Sequence, residues 1–86
     1  MKNFNNSNKQ EQVEVMALFR YEMTPCKPLS FKRRGEQYEV EVTELLSTQI
    51  RFLGNTALHI FDVLANGEHF RLKFNSLELT WHLSRV

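Results

Sequence analysis

The sequence predicts an all-β domain: a small curled sheet or partly open barrel of five or six strands, SH3-like or OB-like in architecture. Three observations carry that expectation. Two apolar runs within Leu58–Phe74 (LHIFDVLANGEHFRLKF) alternate with polar residues and meet at Asn66-Gly67. That dipeptide accepts the left-handed backbone that a tight hairpin requires. A second pair of runs flanks Arg34-Gly35, and a last alternation passes through Leu79, Trp81 and Leu83.

The Asn66-Gly67 hairpin defines its own register. With a two-residue loop, Val63 faces Phe70, Phe61 faces Leu72 and His59 faces Phe74, so one face is aromatic and aliphatic. The other face pairs Asp62 with Arg71, Ile60 with Lys73 and Leu64 with His69. A slip of one residue would send the charges inward, which fixes the core on the first face.

The remaining elements follow from either side. Met1–Glu11 (MKNFNNSNKQE) is rich in Asn, Lys and Gln with one aromatic, Phe4, and is expected to be a disordered N-terminal tail preceding a single β domain over residues 12–86. In QVEVMALFRY, Val13, Val15, Ala17 and Phe19 alternate with Glu14 and Arg20, and the β-branched start favours a strand. Val13, Met16, Ala17 and Arg20 also share helical spacing, which leaves a helix as the second reading. Pro25 and Pro28 make Glu22–Pro28 an irregular connection. In the hairpin around Arg34-Gly35, a loop of two or four residues puts Phe31 opposite Tyr38 and Leu29 opposite Val40, with Lys32 facing Gln37 and Ser30 facing Glu39 on the polar side. For Leu45–Asn55, Leu46, Ile50 and Leu53 have helical spacing, and Gly54 could end a helix; a helical turn and an irregular strand both fit. Asn75-Ser76 makes a turn, and Leu79, Trp81 and Leu83 alternate with Thr80, His82 and Ser84 in a last strand.

Composition narrows the classes of function. Hydrophobic residues make up 42% and charged residues 24% of the 86-residue chain, which is ordinary for one soluble domain. The longest strictly apolar run, Val15–Phe19, is too short to span a bilayer, and one cysteine, Cys26, cannot form an internal disulfide. A cytoplasmic protein that engages no membrane, monomeric by default, is the expectation. A net charge of +1 gives no long-range field for nucleic acid.

No cofactor, metal or catalytic signature is present. His59 and His69 fall on opposite faces of the hairpin and His82 on another strand, and no His-Glu-x-x-His or Cys-x-x-Cys spacing exists. Glu39 and Glu41 share a strand face that reads as solvated. Cys26 lacks a neighbouring base, and three scattered glycines exclude a phosphate-binding loop. The expectation is a non-enzymatic binding or adaptor module that docks a protein partner, with Ile60 and Leu64 as apolar candidates on an otherwise polar face. The alternative is a module that binds single-stranded DNA or RNA through the basic hairpin tip, using Lys27, Lys32, Arg33 and Arg34.

Taken together, Pro28-x-x-Phe31-x-x-Arg34-Gly35-x-x-Tyr38-x-Val40, Phe61-Asp-Val, Gly67-x-x-Phe70-x-Leu72 and Trp81-x-Leu83-x-Arg85-Val86 resemble a family of small bacterial all-β domains. These occur alone and as appendages of translesion-type DNA polymerases. The likeness spans most of residues 13–86 and rests on core and turn positions, with Lys32-Arg33 where the family carries an aromatic. It implies a fold and no catalytic residues, and it implies a setting near DNA.

Overall fold

The computed structural model describes residues 10–20 and 25–86, and these form an all-β closed barrel. Its strands are β1 (Glu11–Leu18), β2 (Lys27–Lys32), β3 (Val40–Leu53), β4 (Thr56–Ala65), β5 (Glu68–Asn75) and β6 (Thr80–Arg85). Each strand pairs antiparallel with the next, and β1 closes the ring against β6 through Glu11–Val13. No helix long and apolar enough to cross a membrane is present among the described residues.

The β4–β5 hairpin has the register that its alternation dictates. Val63 stands opposite Phe70, Phe61 opposite Leu72 and His59 opposite Phe74, with Asp62 against Arg71 on the outer face. Asn66 and Gly67 both take positive φ, 53° and 76°, the signature of a type I′ turn whose twist matches the flanking strands. The inward faces meet in one cluster: Phe31, Phe61, Val63, Ala65, Phe70, Leu72, Trp81 and Leu83 are buried, with Val13, Cys26 and Phe74 beside them. Trp81 lies between Phe74 and Phe61, with ring centroids 4.8 and 5.6 Å away, and Phe31 meets Phe70 edge-on at 5.4 Å. Offset and edge-on contacts of this kind add to the burial itself.

Bulges let short strands turn the corner of so small a barrel. On β2, Met16 and Ala17 of β1 pair with Ser30 and Pro28, which leaves Leu29 as the extra residue. Pro28 and Phe31 therefore both point inward and are fully buried, whereas Leu29 is exposed. On β3, Val42, Glu44, Leu45, Ser47 and Thr48 pair with Ala65, Leu64, Val63, Asp62 and Phe61, so Thr43 and Leu46 are the extra residues. The irregular-strand reading of Leu45–Asn55 is thus the correct one, and Gly54 (φ 62°) opens the β3–β4 turn instead of ending a helix.

Several expectations are corrected. Phe31 pairs with Val40, so Tyr38 lies in the connecting loop and is 80% exposed. Tyr38 and Val40 have the same parity, so either satisfies the face pattern. The longer loop costs little closure entropy and keeps the phenol in water. Lys32 consequently does not pair with Gln37, and Ser30 pairs with Glu41 while its hydroxyl donates to the Glu39 carboxylate. Leu79 is no strand residue: it has φ 60° in the β5–β6 loop, where its N–H donates to the Asn75 carbonyl at 2.7 Å. Glu11, placed in the tail by composition, opens β1, while residues 1–9, Phe4 included, lie outside the described residues. Within Glu22–Pro28, residues 22–24 also lie outside them, and Lys27-Pro28 belongs to β2. Strand, not helix, is correct for β1, but Phe19 lies beyond its end and is exposed.

The register makes a stability prediction. Phe61 is wholly buried, so Phe61→Ala should cost about 3–5 kcal/mol, as removal of a core aromatic usually does. Arg71→Ala, on the outer face, should cost about 1 kcal/mol or less. Urea unfolding of the two variants checks this; equal costs would mean that the faces are assigned wrongly.

Candidate functional site

Alternating strand directions give the barrel two ends of different chemistry. At one end lie Glu11, the 33–39 loop, the Asn66-Gly67 turn and the C-terminal Arg85-Val86. Two ion pairs form there. The Arg33 guanidinium grips the Glu11 carboxylate through Nε at 3.3 Å and Nη2 at 2.6 Å, and Arg85 pairs with Glu68 while lying 5.2 Å over the Phe70 ring. The hydrogen bond from Arg33, with weaker attraction from Arg34 and Arg85, holds the Glu11 carboxyl below its ordinary value.

The four basic candidates are therefore not one cluster. Arg33 is engaged with Glu11, and Lys27 sits at the far end of β2, roughly 15 Å from Lys32 along the strand. Lys32 and Arg34 remain, near Glu14, Glu36 and Glu39 on the same part of the surface. Ile60, a candidate for a protein-docking surface, is only 5% exposed. Its cross-strand neighbours Gln49 and Lys73 flank it, and stems of such side chains cover an apolar residue while their polar heads reach water. Leu64 is half-buried beside Glu44 and His69. These two residues do not form an open patch.

The opposite end holds what the sequence pattern did not single out. There the ends of β1, β3 and β5 meet the starts of β2, β4 and β6, and exposed apolar side chains collect: Leu18, Phe19, Ile50, Phe52, Leu53, Leu77 and Leu79. Phe52 is 73% exposed, Leu77 69% and Leu79 72%. The β3–β4 hairpin projects past the start of the β4–β5 pairing at Leu58, and the β5–β6 loop is fastened to it. Ser76 donates both its N–H and its hydroxyl to the Ala57 carbonyl, at 3.1 and 3.0 Å. Asn75 shapes that loop, its Oδ1 accepting from the N–H groups of Leu77 and Glu78 at 3.0 and 2.9 Å. The signal available in the sequence was the density of Leu, Ile and Phe around Gly54 and Asn75, which reads equally well as core.

Beneath this end a cavity of about 290 Å³ opens, lined by Pro25, Thr48, Gln49, Ile50, His59 and Phe61. The His59 Nδ1 is buried without a hydrogen-bond partner among the described residues. His59 faces inward, His69 lies exposed near the opposite end, and His82 pairs with Lys73 on β5–β6. Cys26 is buried in the core cluster, and that burial pushes its thiol up to about 11.

Two outcomes follow. At pH 8 Cys26 should be almost entirely thiol and react with a thiol reagent far more slowly than the same chain in denaturant, since the thiolate is the nucleophile; equal rates would contradict its burial. The hydrogen bonds from Arg71 hold the Asp62 carboxyl below its ordinary value, as Arg33 does for Glu11. Stability from both pairs is present above the unfolded carboxylate value of about 4 and is lost as pH falls through the lower folded values. Melting temperature against pH should therefore drop more shallowly below pH ~4 in Asp62→Asn than in the parent chain.

No family model matches the chain, and no curated protein and no solved structure does so.

Proposed function

We propose that the domain is a non-catalytic binding module that docks a protein partner through its apolar end. The observation that carries this reading is the concentration of Phe52, Leu53, Leu77 and Leu79, all exposed, on the β3–β4 hairpin and on the β5–β6 loop hydrogen-bonded to it. Single exposed apolar residues are ordinary, whereas several gathered at one end of a barrel mark an interaction surface. Leu79 adds to it. A leucine at positive φ is strained, by an amount on the order of 1 kcal/mol, where Gly or Asn would not be. Being exposed as well, it contributes little to the core in return. A partner that buries Leu79 accounts for a residue that the fold alone does not favour.

The neutral overall charge is consistent with this reading, as is the division of Lys27, Lys32, Arg33 and Arg34 between the two ends of β2 and the Glu11 pair. The resemblance to domains appended to polymerases would place such a partner among proteins that act on DNA.

Leu79→Asn tests it in one step. The variant should be at least as stable as the parent, because Asn accepts the left-handed backbone. Immobilised on a resin, it should lose the protein that the parent domain enriches from extract of its native cell, and Leu77→Ser should lose it too. A parent domain that enriches nothing, or variants that enrich the same protein equally, would overturn the reading.

A further inference from the structure

The β3 strand carries a second, independent feature. β2 pairs with it only through Phe31–Val40 and Ser30–Glu41, and among the described residues no strand pairs with that edge from Val42 to Leu53. This is a long run of unpaired backbone donors and acceptors, the feature that stable monomers usually shorten, charge heavily or cover. Here the twelve-residue edge holds one acid, Glu44, and one base, Arg51, both exposed and without an ion-pair partner among the described residues.

We infer that this edge pairs antiparallel with the same edge of a second copy of the chain, about a two-fold axis through Thr48. The argument is self-complementarity once the bulges are respected. β4 shows how a regular strand follows β3: it skips Thr43 and Leu46. When the second copy skips the same two residues, Thr48 meets itself, Ser47 meets Gln49, Leu45 meets Ile50, Glu44 meets Arg51, and Val42 meets Phe52. Every pair then lies on one face of the joined sheet. The inner face is apolar, with two copies each of Leu45–Ile50 and Val42–Phe52, and the outer face carries the Glu44–Arg51 pair twice. A two-fold contact must be self-complementary in this way, whereas an unrelated peptide would have no reason to match. Half-exposed Ile50 and largely exposed Phe52 gain apolar neighbours by it. Phe52 belongs to both surfaces, whereas Leu77 and Leu79 lie outside the paired edge, so the inference goes beyond the docking reading and is told apart from it by variants at Leu77 and Leu79.

The experiment is a charge swap read by sedimentation equilibrium on the full chain. Arg51→Glu and Glu44→Arg should each weaken dimerisation about tenfold or more, since each replaces two attractive cross-strand pairs by two repulsive ones. The double variant should recover to within about threefold of the parent. Within one chain the two side chains stand roughly 20 Å apart along the strand, so recovery can only come from the other copy. As a second measurement, amide exchange at residues 48–52 should slow with increasing protein concentration in the parent and not in Arg51→Glu. A parent chain that stays monomeric up to about 1 mM, or a dimer indifferent to the swap, would overturn the inference. Loss of the partner captured through Leu79, with dimerisation intact, would touch only the docking reading.

Discussion

Every other element depends on the inner face of β4. Phe61, Val63 and Ala65 are fully buried there, and β4 is hydrogen-bonded to β3 on one side and β5 on the other. A domain of this size buries too little surface to tolerate a second core, so all six strands must present their apolar faces to this one column. Antiparallel pairing around a ring does that with short loops and without crossing connections, and it removes most sheet edges at the same time.

Closing so small a ring requires sharp bending, and the bulges at Leu29, Thr43 and Leu46 supply it. Each resets the alternation of the strand that carries it. Along β3 the inward positions become Val42, Leu45 and Thr48, three apart, before regular alternation resumes at Ile50 and Phe52. The same bending takes β3 away from β2 beyond Glu41, which opens the cavity beside Pro25 and leaves the β3 edge with no strand partner among the described residues. Barrel closure and the free edge thus share one cause.

The two ends divide the work of solvation. Ion pairs Arg33–Glu11 and Arg85–Glu68 lie at one end, beside the tight Asn66-Gly67 turn. At the other, a long hairpin and the Asn75-shaped loop hold leucines and a phenylalanine out in water, one of them on a strained backbone. Folding alone does not reward that arrangement.

By itself the sequence determined the all-β class, the β4–β5 register and the inward set Phe61, Val63, Phe70, Leu72, Trp81 and Leu83. These are period-two patterns closed by a turn dipeptide, and local sterics suffice to specify them. Only the tertiary structure decided between Tyr38 and Val40 as the partner of Phe31, because a shift of two residues preserves every face. It also decided β3, where Leu46, Ile50 and Leu53 have helical spacing although Leu46 is a bulge residue and the other two lie on opposite faces of a strand. Ile60 looked exposed because alternation reports which face a residue occupies; whether neighbours such as Gln49 and Lys73 cover that face is settled by strands distant in sequence. The apolar end and the β3 edge, without a strand partner among the described residues, were illegible for the same reason, since Phe52, Leu79 and their neighbours come together only when the ring closes.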